Sequence, residues 1–239
     1  MLPADDAPPI GLSASSYLGH SARVLWSDLG TLVPATLGAL VIATPWLAVV
    51  SLSVEPLGPL TCALFGAPAW TGLVAVAARA VRGEDAGPRV MLGVVRRQYW
   101  RAVALGAATA GFGWTFERAI AMTAEGGAVL IPVLAGACAA TFVVLAIDVY
   151  AFALLVLHDL PLRATFRAGL ALAVAAPGAT LGLLAAGVLA YVGLARLGPG
   201  TLLLSLPVLA VLHVNNTLLQ AERLQLATEE TQHVDDRRA

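Results

Sequence analysis

The sequence predicts an all-α membrane protein, a polytopic bundle of about six transmembrane helices with amphipathic helices on its cytoplasmic side. Hydrophobic residues make up 59% of the 239 residues and charged residues 12%, and the mean hydropathy is +0.82. Soluble globular chains carry about 25% charged residues. Half of that charge, together with long apolar runs, indicates a chain that is embedded in a bilayer.

Six apolar runs are long enough to cross a bilayer, which takes roughly 20 residues. They cover residues 30–53, 57–81, 102–123, 128–152, 178–195 and 200–220. Turn or charge signals such as residues 54–59 and 198–200 stand between them. We predict one membrane domain over residues 15–222, a disordered tail over 1–14 and a cytoplasmic tail over 223–239.

The distribution of arginine predicts the orientation in the membrane. All fourteen basic residues are Arg, and twelve of them lie on one predicted side, whereas Arg118 and Arg196 lie on the other. Basic residues mark cytoplasmic loops, and an even number of spans puts both termini on the same side. We therefore expect a multi-pass protein of the cell membrane with cytoplasmic termini. The acidic, Pro-rich start lacks the basic n-region of a signal peptide.

Three further segments predict helices in the cytoplasmic interface, at residues 15–28, 88–101 and 160–176. Asp159 is the expected N-cap of the third segment, and Pro177 is expected to divide it from the next span. Such helices either seat the bundle on the bilayer or bind anionic headgroups. Four prolines fall inside predicted spans and predict kinks rather than breaks: Pro34, Pro45, Pro68 and Pro132.

Asp148 stands in the apolar run of the fourth span, with no basic residue between it and Arg163. If this helix enters the membrane near Ala128, Asp148 lies about 30 Å along its axis, close to the cytoplasmic boundary. Arg79 and Arg101 belong at similar depth, so we expect Asp148 to pair with one of them. The pair either locks helices together or marks a substrate or proton site.

A second polar cluster lies in the last span. His213, Asn216, Thr217 and Gln220 follow one another at offsets of three, four and seven residues, so they share one helical face. Such groups either join helices by hydrogen bonds or line a polar crevice that opens to the cytoplasm.

The segment 88–101 is rich in basic and aromatic residues. Arg96, Arg97, Tyr99 and Trp100 lie within five positions, a density that exceeds what orientation alone requires. We predict an amphipathic helix lying flat on the cytoplasmic face, with Arg96 and Arg97 turned toward headgroups or a protein partner.

Several classes of function lack support in the sequence. We find no hydrolase, metalloprotease or phosphate-binding motif, and no paired membrane aspartates, so we expect no catalytic residue, cofactor or metal. Cys62 and Cys138 have no ligand or redox spacing and are expected to be small buried hydrophobes. A net charge of −1 argues against a nucleic-acid partner.

Four features carry a resemblance to a known family. They are Arg82-Gly-Glu after the second span, Arg96-Arg97-Gln-Tyr-Trp-Arg-Ala before the third, His158-Asp-Leu-Pro-Leu-Arg after the fourth and Asn215-Asn216 in the last. Over roughly residues 20–225 the chain resembles the YesL-like family of bacterial integral membrane proteins. This resemblance implies a domain of unknown biochemical function, often encoded beside ATP-driven sugar-uptake transporters, and supplies no catalytic residues.

We therefore expect a non-enzymatic membrane protein that is an accessory or assembly factor for carbohydrate uptake. Its expected partners are the lipid bilayer and a sugar-uptake transporter subunit, contacted by the interfacial helices. The alternatives are a small transporter or channel with a polar path near Asp148 and His213, and an intramembrane enzyme. A continuous polar cavity lined by Asp148, His213 and Asn216 would favour transport, and a dry core would favour the accessory role.

Overall fold

The computed structural model describes residues 17–52, 57–126 and 130–236, with the side chains of residues 199 and 225–236 excepted. The helices are α1 (Tyr17–Ser27), α2 (Leu29–Ser51), α3 (Leu57–Thr61), α4 (Ala67–Val81), α5 (Pro88–Gly126), α6 (Ile131–His158), α7 (Leu162–Ala175), α8 (Pro177–Leu197) and α9 (Leu202–Asp236). A π-helical turn, Cys62–Gly66, joins α3 to α4. These ranges contain no strand, so the all-α class is confirmed. The predicted tail over residues 1–14 lies outside them.

Five helical segments are long and apolar enough to cross a membrane. They are Leu29–Ser51, Leu57–Val81, Ile131–His158, Pro177–Leu197 and Leu202–Leu224. They match the first, second, fourth, fifth and sixth predicted runs and are compatible with a multi-pass membrane protein. The third predicted run, residues 102–123, lies within α5 and is not one of the five. It is less apolar because small and polar residues alternate there and Glu117 and Arg118 interrupt it.

The helix α5 unites two segments that the sequence analysis separated. Residues 88–101 and 102–123 both belong to Pro88–Gly126, one helix of 39 residues that is about 58 Å long at 1.5 Å per residue. Met91 and Gln98 are buried, and Met91 packs where Gly38 of α2 and Gly72 of α4 leave room for it. The prediction that residues 88–101 form a helix of their own is therefore wrong. No Gly or Pro occurs between residues 94 and 105 to end a helix.

The centre of the bundle is α4. All of its residues except Trp70 and Arg79 are buried, and it packs against α2, α5, α6 and α9. A helix that is apolar on all sides belongs in the interior, and the core cluster is built around it. At the crossing of α4 and α5, the Cα of Gly106 faces Ala63 and Ala67 so closely that a side chain at Gly106 would collide with them.

The remaining predicted boundaries are mostly confirmed. The break at Pro177 separates α7 from α8, and α1 occupies most of predicted segment 15–28. Pro34 and Pro45 lie inside α2, and Pro132 stands in the first turn of α6, where a missing N–H costs little. Pro68 stands just after the π turn, at the start of α4. The helix α9 continues to Asp236 and includes most of the predicted C-terminal tail.

Asp159 does not cap the helix that follows it. The residue before α7 is Pro161, and no side chain caps that end. Asp159 instead ends α6 in the left-handed conformation, with φ 48°. The predicted N-cap is wrong because this carboxylate binds side chains of α5.

Candidate functional site

Asp148 is buried in α6, with 8% of its surface exposed. Its Oδ2 atom is hydrogen-bonded to the hydroxyl of Thr109 on α5. Its Oδ1 atom is buried and has no hydrogen-bond partner among the described residues. An unpaired buried oxygen is costly. Gln98 Oε1, at the same contact between α5 and α6, is likewise buried without a hydrogen-bond partner among the described residues.

Neither predicted arginine reaches Asp148, so the predicted ion pair is wrong. Arg101 binds Asp159, with 2.6 Å between Nη1 and Oδ1. Arg79 lies 3.7 Å from Glu84 in the turn that leads to α5, where it also donates to the carbonyl of Asp85. The partner of each arginine is a carboxylate just beyond the end of a helix, Glu84 after α4 and Asp159 after α6. Spacing in the sequence did not favour these carboxylates over Asp148.

Gln98 strengthens the contact between α5 and the end of α6. The side chain is fully buried, and its Nε2 atom donates to the carbonyl of Leu155 at 3.0 Å and to Asp159 Oδ1 at 3.3 Å. Arg101 and Gln98 therefore share one carboxylate. Together they hold α5 against the last turn of α6.

The polar residues predicted to share one face of α9 have different hydrogen-bond partners. His213 Nδ1 lies 2.7 Å from the carbonyl of Leu209 in its own helix, and its ring meets Trp70 edge to face at 5.5 Å. Thr217 donates to the carbonyl of His213. Among the contacts described, these two residues therefore make their hydrogen bonds within α9.

Asn216 belongs to a network that joins three helices. Its Nδ2 atom donates to the hydroxyl of Tyr150 on α6 at 3.2 Å, and that hydroxyl lies 3.0 Å from the hydroxyl of Thr180 on α8. Gln220 donates to Asn216 Oδ1 at 3.3 Å. For Asn216 the hydrogen-bonding role between helices is confirmed, and Gln220 supports it from one turn away.

A second network fastens α1 to α9. Asn215 Nδ2 donates to Ser21 at 2.9 Å, and the hydroxyl of Tyr17 donates to the carbonyl of Leu212 at 2.8 Å. Burial, and to a lesser degree the nearby Tyr150, raises the pKa of Tyr17. The phenol therefore stays protonated and remains a donor.

Three of the four predicted contact residues in the basic and aromatic segment of α5 face outward, and the two aromatic residues of the pair point in different directions. Arg96 and Arg97 are exposed, and Trp100 is 75% exposed. Tyr99 instead points inward, where its hydroxyl donates to the carbonyl of Leu64 at 3.1 Å. Adjacent residues on a helix point in different directions, but the sequence did not show which of the two aromatic side chains, Tyr99 or Trp100, faces the bundle.

Sequence reasoning did not identify seven polar residues that join the helices. They are Tyr17, Ser21, Gln98, Thr109, Thr141, Tyr150 and Thr180. Their only signal in the sequence is a polar group within or beside an apolar run, and many Ser and Thr residues in such runs bond only to their own helix.

A pocket of about 310 Å³ lies between α2, the π turn, α4, α5, α6 and the junction of α8 with α9. Its walls are almost entirely apolar. Thr109 reaches it, whereas Asp148, His213 and Asn216 do not line it. It is therefore not the polar cavity that the transport alternative requires.

Within the described part of the chain, no group of three or more His, Cys, Asp or Glu side chains is placed to hold a metal ion. Cys62 is half-buried and Cys138 is exposed, and both are free thiols; Cys138 is thus not the buried hydrophobe that was expected. Comparison with protein-family models, with curated proteins and with solved structures found no match.

Proposed function

We propose that this chain is a non-enzymatic accessory protein of the cell membrane that assists carbohydrate uptake by an ATP-driven transporter. The partner class comes from the resemblance to the YesL-like family. The surface proposed to contact the partner lies on α5. We place both termini in the cytoplasm on the strength of the arginine asymmetry.

The observation that carries the proposal is an exposed stripe along the first half of α5. Arg89, Arg96 and Arg97 are exposed, and Leu92 and Trp100 on the same side are 57% and 75% exposed. The opposite face, with Met91 and Gln98, is fixed in the bundle. Arg and Trp are enriched where proteins bind one another, and this stripe is held rigidly by the packed face behind it.

The proposal includes a sixth span, formed by residues 102–123 of α5. Its support is the antiparallel contact with α6, in which Thr109 meets Asp148 and Thr141 donates to the carbonyl of Phe112. A helix of about 58 Å exceeds the hydrocarbon thickness of about 30 Å. Its first part, with the exposed stripe, would therefore extend into the headgroup region and the cytoplasm.

The arrangement of the internal polar groups favours a structural role over transport. Tyr150, Asn215 and Asn216 each bind a residue of another helix. Because Asn216 bonds to Tyr150 and Asn215 bonds to Ser21, these contacts support a role in holding the helices together rather than in lining a path. Transport is the second candidate, and the unpartnered Oδ1 of Asp148 favours it.

The test is affinity purification of the tagged protein from gently solubilised membranes of its own host. The variant Arg96→Gln/Arg97→Gln should lose the transporter subunit while expression and membrane insertion stay unchanged. The matched control is Arg163→Gln/Arg167→Gln, which removes an exposed pair of the same charge from α7 and should keep the subunit. If both variants retain the subunit equally, or if insertion is lost together with the partner, this part of α5 is only a membrane anchor and the proposed function loses its main structural support. Solute flux in proteoliposomes that Asp148→Asn abolishes would establish transport instead.

A further inference from the structure

The apolar pocket owes its volume to small residues on the helices that enclose it. Ala39 and Ala43 of α2 and Ala67 and Ala69 of α4 form part of its wall. Gly66 and Gly106 also line it, but they are packed closely against Trp46 and Ala67. Larger side chains, among them Trp46, Leu47, Leu194 and Leu202, enclose it further. Small residues at helix contacts usually let helices close together. Here several of them face a common space instead.

The pocket is elongated in the direction of the helices. Its wall runs from Cys62 to Leu73 along the π turn and α4, about 16 Å of helix axis at 1.5 Å per residue. On α2 it runs from Ala39 to Leu47, about 12 Å by the same measure. The space therefore extends along the bundle and not across it.

One end of the pocket lies near the end of the bundle. Leu47 is four residues from the end of α2, Leu194 is three residues from the end of α8, and Leu202 begins α9. Of the wall residues of α2 and α4, Ala39 and Leu73 lie farthest from that end along their helices. The pocket thus reaches inward from the end where α2 finishes and α9 starts.

The apolar side chains that line the pocket are suited to a hydrocarbon ligand. A buried water needs two to four polar partners. The hydroxyl of Thr109 is already engaged by Asp148 and by the carbonyl of Leu105. An apolar cavity of about 150 Å³ stays dry and binds benzene, and this pocket is about 310 Å³. It has room for an apolar group larger than an aromatic ring.

We propose that this pocket binds one hydrocarbon chain of a membrane lipid. The chain lies parallel to the helices, and the lipid headgroup stays at the end of the bundle beside Leu47 and Leu202. Helices α2, α4, α6, α8 and α9, which form most of the wall, belong to segments apolar enough to span a membrane. At that depth the surrounding medium is lipid, so a chain enters without crossing water. This site is independent of the exposed stripe on α5.

Native mass spectrometry of the protein released from detergent micelles tests the proposal. We expect a population that retains one phospholipid. The variant Ala43→Leu, which fills a wall position that is 6% exposed, should lose that population. Ala48→Leu adds the same atoms at an exposed position of α2 and should keep it. A wild-type protein without retained lipid, or equal retention in both variants, would overturn the proposal.

A second measurement does not depend on the folding of Ala43→Leu. In Cys138→Ser, Cys62 is the remaining thiol, and it lines the pocket. Adding a phospholipid to delipidated protein should slow alkylation of Cys62 by N-phenylmaleimide. The same measurement with a free fatty acid shows whether the pocket takes the chain of a phospholipid or that of a single-chain amphiphile. An alkylation rate that neither lipid changes would contradict occupation of the pocket.

Discussion

The hydroxyl of Tyr99 on α5 donates a 3.1 Å hydrogen bond to the carbonyl of Leu64 in the π turn. Leu64 lies four residues before Pro68, which has no N–H with which to make the α-helical hydrogen bond to that carbonyl. The π turn Cys62–Gly66 and the proline thus leave a main-chain acceptor that α5 satisfies. A polar side chain from a neighbouring helix is a usual remedy for proline in membrane helices.

Removal of the Tyr99 hydroxyl should therefore destabilise the protein in a way that depends on Pro68. Tyr99→Phe should lower the free energy of unfolding by about 0.5–1.5 kcal/mol, measured by denaturation in mixed micelles. In the Pro68→Ala background the loss should be smaller, because residue 68 then offers an N–H. Tyr191→Phe, at a 71% exposed position, is the control and should have little effect. Equal losses for Tyr99→Phe in both backgrounds would contradict the link.

Asp148 should be coupled energetically to Thr109 and not to Arg101. In a double-mutant cycle of Asp148→Ala with Thr109→Val, the interaction free energy should exceed about 0.5 kcal/mol, because the two side chains are in direct contact. The cycle of Asp148→Ala with Arg101→Gln should be additive within about 0.5 kcal/mol. The same unfolding measurement serves both cycles. Strong coupling to Arg101 would restore the ion pair that the structure contradicts.

Tyr150 is expected to be among the most sensitive polar positions of the bundle. Its hydroxyl bonds to Asn216 and Thr180 on two other helices, so Tyr150→Phe should cost about 1–3 kcal/mol of unfolding free energy. Thr217→Val is the comparison, because the hydroxyl of Thr217 bonds to a carbonyl of its own helix. A smaller loss for Tyr150→Phe than for Thr217→Val would show that the network contributes little.

The sixth span can be tested from the two ends of α5. In a variant without Cys62 and Cys138, single cysteines are placed at Gly87 and Glu125. A membrane-impermeant maleimide should label residue 125 on intact cells and residue 87 only after permeabilisation. A cysteine at residue 235 should behave as residue 87 does. Labelling of 87 and 125 from the same side would rule out a crossing by α5.

The sequence by itself determined the fold class, the five strongly apolar helices and the break at Pro177. These features depend on composition and on the length of apolar runs, which are local properties that hold whatever the neighbouring helix is. It also offered the joining of helices as one of two roles for Asn216, because an amide in an apolar run needs a partner.

Only the tertiary structure decided which polar groups meet. Asp148 binds Thr109 while Arg101 binds Asp159, and Tyr99 turns inward while Trp100 stays exposed. Periodicity assigns residues to a face of a helix. It does not say which helix lies against that face or at what height. Those two quantities follow from packing around α4, and a shift of one turn, about 5.4 Å, is enough to exchange one partner for another.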